Sequence, residues 1–206
     1  MKKQFVYLVA TGVLAAALGP SNVLAQSPAP TGIEVPAVPP NLDVPAGHTA
    51  FLKGFAIGTQ NYICISAKKG NEWRFLGPQA TLFLTIDGNV TQQISTHFLS
   101  TNPSDGVARP TWQDSSDTSR VWGRVVQSSS DAAYVEAGAI PWLLLAAAGT
   151  EAGPLGGALL TQTTFIHRVK TSGGVVPSTG CHTGNDVGRL ALVPYTTEYY
   201  FYRADS

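Results

Sequence analysis

Residues 81–98 alternate apolar and polar side chains with a period of two, and only an extended strand places such a set on one face. The triplet Asp87-Gly88-Asn89 interrupts the alternation and favours a tight turn between two antiparallel arms. The apolar residues that share a face are Leu82, Leu84 and Ile86 on the first arm and Val90, Ile94 and Phe98 on the second. The segment therefore predicts a β-hairpin.

Most of the remaining candidate strands are also dense in Val, Ile, Thr and aromatic residues, which suit a pleated, half-buried surface. Residues 140–148 are ambiguous, because Pro141 and the following leucines and alanines fit a helix capped by Gly149 and fit a buried strand almost as well. No rhythm of alternating strands and helices predicts a parallel sheet. We expect an all-β fold, mainly an antiparallel sandwich or barrel, with at most one or two short helices. The other predicted strands are 50–57, 62–66, 121–127, 160–170, 190–193 and 195–203.

The N-terminus has the features of an export signal. Lys2 and Lys3 precede an apolar run over residues 5–18, which is shorter than the roughly 20 residues of a membrane span. Val23 and Ala25 provide the small side chains that a signal peptidase requires, so we expect cleavage after Ala25. The product is then periplasmic or extracellular, without a transmembrane anchor.

After the signal we expect two regions. Residues 26–47 are rich in proline and poor in large apolar side chains, which favours an extended, unpacked tether. Residues 48–206 have the length of one β-rich domain. The chain has two cysteines, Cys64 and Cys181, and exported proteins meet oxidising conditions, so we predict a disulfide between them.

Charge and motifs exclude several functions. Without residues 1–25 the chain has 11 basic and 13 acidic side chains, because Lys2 and Lys3 account for two of the 13 basic groups. A formal charge of −2 gives no basic face for nucleic acid. The glycine-rich nucleotide loops, the zinc-protease motif, paired C-x-x-C and the G-x-S-x-G elbow are all missing from the sequence. We expect no cofactor.

Four side chains are candidate binding residues: Trp112, His97, Arg168 and Gln60. His97 falls on the polar side of its predicted strand, which faces water or forms a binding surface. Trp112 stands in a predicted polar loop over residues 102–120, where it is a platform for a flat ligand or sugar or an anchor for the loop. Arg168 is a possible partner of His97, and Gln60 belongs to the family motif quoted below.

Other polar and aromatic residues have more ordinary interpretations. Asp105, Asp114 and Asp117 could offer oxygen ligands to Ca²⁺ or a glycosidase pair, but the EF-hand spacing is missing and turn-forming residues explain the loop. We therefore expect no metal. His167 and Trp142 should be core residues. The C-terminal aromatic residues divide between both faces of their strand, with Tyr195, Tyr199 and Phe201 on one and Tyr200 and Tyr202 on the other.

The order of these residues resembles a family of exported proteins known as domain of unknown function 3455. The resemblance covers roughly residues 45–203. It rests on Gly58-x-Gln60-x-Tyr62-x-Cys64, His97, Pro110-Thr111-Trp112, Ile140-Pro141-Trp142-Leu143-Leu144, Arg168-Val169-x-Thr171-x-Gly173-Gly174, Cys181, Val193-Pro194-Tyr195 and Tyr199-x-Phe201-Tyr202. It implies one domain behind a signal peptide and supplies no reaction. A malate dehydrogenase label, which some relatives carry, disagrees with this chain because the glycine-rich pyrophosphate turn is missing.

Three functions remain open from the sequence. The first is a non-catalytic exported module that binds a small molecule, a glycan or an envelope component near Trp112 and His97. The second is a hydrolase or isomerase that uses His97 with a carboxylate or Arg168. The third is a structural or stress-related envelope protein, which predicts aromatic side chains packed inside and a solvated His97.

Overall fold

The structure is a computed structural model and describes residues 32–206. The expected signal peptide, its cleavage site and the first residues of the expected tether lie outside the described residues. The described chain is all-β, as predicted, with short 3-10 turns at Pro40–Leu42, Leu159–Gln162 and Gly184–Asp186. Its strands are β1 (His48–Ala67), β2 (Gly70–Ile86), β3 (Asn89–Thr101), β4 (Ala108–Asp114), β5 (Arg120–Ser129), β6 (Trp142–Glu151), β7 (Phe165–Gly173) and β8 (Leu190–Ala204).

The eight strands form a closed antiparallel barrel in which each strand pairs with the next and β8 pairs with β1. This decides between the two predicted architectures in favour of the barrel. Alternate side chains of each strand point inward, and eight strands leave an interior that side chains fill or that holds one small ligand. Because the strands run up and down, the connections after β1, β3, β5 and β7 meet at one end.

Several predicted strands differ in their extent. Predicted strands 50–57 and 62–66 are one strand, β1, which runs through Gly58. A Cβ at Gly58 would overlap the carbonyl oxygen of Gln79, so glycine allows β2 to approach closely here. Likewise β8 runs through Pro194, and the ambiguous stretch near Trp142 is strand β6. The predicted loop 102–120 is wrong over β4, which pairs with β3 along its whole length.

Apolar packing fills the barrel interior away from the end just described. Leu82, Val121, Leu160, Ile166 and Phe201 are fully buried there in one cluster. Burial of apolar side chains of this size stabilises the fold by about 1.5–3 kcal/mol each.

A second apolar cluster lies outside the barrel wall. Trp142, Tyr200 and Tyr202 contribute to it from the strands, so both predicted faces of the C-terminal aromatic run are covered. Residues 33–44 pack onto it, with Leu42 fully buried. This part of the expected tether has little regular structure and is packed rather than unpacked, because Leu42 and the spaced valines supply apolar contacts.

The predicted disulfide is present between Cys64 and Cys181, with Cα atoms 5.5 Å apart. It ties the connection between β7 and β8 to β1. Such bonds are typical of proteins in oxidising compartments. The described chain contains no helix with the length and apolar character that a bilayer crossing requires.

Candidate functional site

A cavity of about 130 Å³ opens inside the barrel, and we call it the end cavity. All eight strands contribute to its wall. The four candidate residues all line it: Gln60 from β1, His97 from β3, Trp112 from β4 and Arg168 from β7. Most lining residues lie toward the end where the odd-numbered strands finish. The structure therefore brings together side chains that are up to 108 positions apart, from Gln60 to Arg168.

The expectations for the surroundings of His97 and Trp112 are corrected. His97 is 3% exposed and does not face water, and Trp112 is 1% exposed and belongs to a strand rather than a loop. In the register of β2 against β3, His97 lies opposite Ala80 and Ser95 lies opposite Leu82, and all four of these residues are buried. His97 therefore points inward, while Val90, expected on the apolar face, is 45% exposed.

His97 is held by stacking and by one hydrogen bond. Its ring stacks on Trp112 with centroids 4.2 Å apart, and Tyr199 meets it edge-on at 5.2 Å. Its Nδ1–H donates to the carbonyl oxygen of Thr111 at 2.9 Å, which leaves Nε2 as an acceptor. Burial lowers the pKa of His97 to about 3, and the nearby Arg168 charge acts in the same direction against the Thr111 bond. The ring is therefore neutral at physiological pH.

Trp112 is fixed on its other edges by aromatic and glycine contacts. Tyr199 and Phe201 meet its ring edge-on at 5.3 and 6.0 Å. A Cβ at Gly123 would lie 2.9 Å from Trp112 Cζ3 and 3.0 Å from Leu145 Cδ2. Glycine at position 123 thus gives the indole its place against β5.

Four buried polar atoms on or beside the end cavity have no hydrogen-bond partner among the described residues. They are Gln60 Nε2, Trp112 Nε1, Tyr195 OH and Tyr199 OH, and each parent residue is at most 3% exposed. Buried polar groups are normally hydrogen-bonded, so this concentration in one place is unusual. Gln60, Trp112 and Tyr199 line the cavity, and Tyr195 lies behind them next to Gln60 and Tyr199. Two further atoms of this kind, Trp142 Nε1 and Thr163 Oγ1, belong to residues elsewhere.

The two tyrosines are protonated donors. Burial raises the pKa of Tyr199 and of Tyr195 well above the ordinary value, although the Arg168 charge acts in the opposite direction on both. Tyr195 lies near enough to Tyr199 and Gln60, and Tyr199 near enough to Arg168, for these groups to affect the pKa of the two hydroxyls, yet neither hydroxyl closes a hydrogen bond of good geometry. The sequence placed both side chains on one covered face but gave no sign that their hydroxyls lack partners.

Arg168 carries the one formal charge on the described wall of the end cavity. It is partly buried, and its Nε and Nη2 donate to the carbonyl oxygen of Pro141 at 3.3 and 2.8 Å. Across residues 32–206 no carboxylate forms an ion pair with it. The cavity is therefore a donor-rich site with an uncompensated positive charge.

The other polar residues considered from the sequence lie elsewhere. Asp105 pairs with Arg109, and the Asp114 and Asp117 carboxylates accept hydrogen bonds from nearby N–H and hydroxyl groups. Within the described range no three His, Cys, Asp or Glu side chains form a metal-binding group. His167 is a core histidine with satisfied nitrogens, as predicted, bonded to the Leu42 carbonyl and to the Tyr202 hydroxyl.

A model of the family described as "Protein of unknown function (DUF3455)" matches residues 45–203. This range includes every residue of the end cavity. No curated protein and no solved structure matches the chain.

Proposed function

Because the chain belongs to this family of unknown function, we propose its role from the geometry of the end cavity. The protein is a non-catalytic module that binds a small molecule, or the end group of a glycan or envelope component, inside the barrel. The observation that carries this proposal is the set of four unpartnered buried polar atoms around one cavity. Each of these atoms has less than 1 Å² of exposed surface, so a polar ligand would supply the missing hydrogen bonds together with a small shift of the side chains. Barrel mouths are a common place for such sites.

The size of the cavity favours a small ligand over a polymer. A volume of about 130 Å³ has room for on the order of ten water-sized groups. A longer glycan or envelope component would therefore enter by one terminal unit, and the apolar lining side chains Phe75, Leu143 and Leu145 would contact its non-polar part.

The electrostatics of His97 favour binding over catalysis. A general base works best when its pKa lies near the operating pH, and burial holds the pKa of His97 near 3. The described cavity wall also offers no carboxylate to assist it. These features weaken the hydrolase or isomerase hypothesis. A purely structural envelope role predicted a solvated His97, whereas the side chain is buried.

We also propose that the protein works outside the cytoplasm after removal of residues 1–25. The signal-like N-terminal sequence and the Cys64–Cys181 disulfide support this location. Intact-mass measurement of the exported protein should give a chain that begins at Gln26. A chain that retains Met1 in the cytoplasm, with both cysteines reduced, would contradict it.

The binding proposal is tested by a thermal-shift screen of the mature protein against metabolites and monosaccharides. A ligand at a hundred times its dissociation constant should add about 2.7 kcal/mol, which raises the Tm of a domain of this size by about 5–10 °C. Trp112→Phe should weaken the shift. Trp73→Phe is the matched control, because the Trp73 Nε1 donates to the Thr179 carbonyl outside the cavity. Absence of any shift across broad libraries, or equal loss in both variants, would count against a site in the end cavity.

A further inference from the structure

This inference rests on the proposed function and specifies the ligand of the same site. We propose that the end cavity recognises a carboxylate group, with Arg168 as its counter-charge. The polar atoms on the wall, the charge of Arg168 and the apolar remainder of the cavity all favour a carboxylate.

The unpartnered atoms around the cavity are mainly hydrogen-bond donors. Trp112 Nε1 and Gln60 Nε2 can only donate, and the Tyr195 and Tyr199 hydroxyls stay protonated and can donate. An ionised carboxylate accepts at two oxygens with about four lone-pair sites and donates nothing. A sugar hydroxyl, in comparison, could donate to His97 Nε2 or Gln60 Oε1, but it brings no charge to Arg168. The donor set fits the carboxylate better.

Arg168 adds the matching charge. Its Nε and Nη2 share the Pro141 carbonyl, and the nearby Tyr199 hydroxyl is a neutral group, so neither cancels its charge. The described lining contains no Asp or Glu, so nothing on the wall compensates the guanidinium. A partly buried charge normally has a partner, and hydrogen bonds between ionised groups are roughly twice as strong as neutral ones. A ligand carboxylate would provide that partner.

The remaining wall is apolar and favours a carboxylate joined to a small non-polar group. Val125, Leu143 and Leu145 face the cavity together with Phe75. Apolar walls limit water around the charged groups, which strengthens their attraction. Short-chain and aromatic acids therefore make suitable probes.

Matched acids and amides test the inference, because they differ in charge and not in shape. Calorimetric titration of the mature protein would compare propionate with propionamide and benzoate with benzamide at constant ionic strength. We expect each acid to bind at least about tenfold more tightly than its amide. Arg168→Gln should lower acid affinity about 10- to 100-fold and leave amide affinity within about threefold. Arg168→Lys should retain part of the acid affinity, because it keeps the charge.

Arg124→Gln is the matched control, because Arg124 is exposed, lies outside the cavity and should not change affinity for the acids. Equal affinity for acid and amide, both sensitive to Trp112→Phe, would overturn the carboxylate inference and leave the binding function standing. Acid binding that is equally strong in Arg168→Gln and in Arg124→Gln would place the acids elsewhere and overturn the inference. If neither these probes nor the thermal-shift libraries bind, both proposals fail together.

Discussion

Replacement of Tyr199 by phenylalanine should stabilise the ligand-free protein. The Tyr199 hydroxyl is buried without a partner among the described residues, while its ring packs edge-on against Trp112 and His97. Phenylalanine keeps the ring contacts and removes only the hydroxyl. An unsatisfied buried polar group costs about 1–3 kcal/mol, so a gain of this order is expected, less any loss from the small void.

Two other tyrosines in the same barrel give the opposite expectation. The Tyr62 hydroxyl donates to the Gly174 carbonyl at 2.8 Å, and the Tyr202 hydroxyl donates to His167 Nδ1 at 2.9 Å. Tyr62→Phe and Tyr202→Phe each remove a hydrogen bond and leave a buried acceptor unsatisfied. Each should therefore lose about 1–3 kcal/mol. Replacement of tyrosine by phenylalanine should thus raise the free energy of unfolding at Tyr199 and lower it at Tyr62 and Tyr202.

Urea unfolding of the three variants, followed by far-ultraviolet circular dichroism and by tryptophan fluorescence, shows whether each free energy of unfolding rises or falls. Each kcal/mol corresponds to about 2–4 °C in Tm for a domain of this size. Tyr199→Phe should also bind a ligand of the end cavity less tightly, because it removes one donor. A Tyr199→Phe variant that is destabilised as much as Tyr62→Phe would refute the reasoning, since the hydroxyl would then be satisfied in the folded state.

Three further measurements address the rest of the fold. The double variant Cys64→Ala, Cys181→Ala removes the bond between residues 117 positions apart. The chain-entropy model predicts that its free energy of unfolding in denaturant falls by about 4–5 kcal/mol, and a fall of less than about 1 kcal/mol would contradict this. Burial lowers the pKa of His97 from 6.5 to about 3, so the unfolded chain binds the extra proton in this window and stability should fall as pH decreases from 6.5 toward 3. His97→Gln should flatten that slope in unfolding measured between pH 3 and pH 8, and an unchanged slope would exclude His97 as its source. Leu42→Ala should cost about 2–5 kcal/mol, against less than about 0.5 kcal/mol for Leu190→Ala at a position that is 61% exposed; equal losses would show that residues 33–44 are not packed as described.

The sequence was sufficient where the physical signal is local. Period-two alternation and β-branched composition predicted the all-β fold and the hairpin over residues 81–98. The alternation of Tyr199, Tyr200, Phe201 and Tyr202 correctly predicted that both faces of β8 are covered. The presence of two cysteines in a chain with an export-type N-terminus was enough to predict their bond.

Barrel closure and the inward face of each strand depend on more distant contacts. Pairing of β8 with β1 joins segments that begin at His48 and Leu190, and no local pattern specifies it. His97 was assigned to a polar side that was expected to face outward, whereas it lies opposite the buried Ala80 and points inward. Strand β4 was missed because Pro110 and the neighbouring polar residues are typical of a loop.

The candidate site was predicted by residue type and by resemblance, without its geometry. Gln60, His97, Trp112 and Arg168 come from four strands, and the closed barrel is what places them around one cavity. Tyr195 and Tyr199 were recognised only as buried aromatic residues. Whether a buried hydroxyl finds a partner depends on side chains from neighbouring strands, and one sequence contains no local signal for it.

The two ends of the barrel interior make different contributions to the protein. One is filled by apolar side chains such as Leu82 and Phe201, which would be the favourable choice throughout if stability alone mattered. The other contains a guanidinium without a counter-charge and several donors without a partner among residues 32–206, each of which lowers stability in the free protein. The Cys64–Cys181 bond joins β1 to the connection between β7 and β8 at this same end. It lowers the conformational entropy of the unfolded chain and so offsets part of the lost stability. A polar end that is destabilising on its own and is reinforced by a covalent link is what a binding site requires, because the groups that would hold the ligand must stay unsatisfied until it arrives.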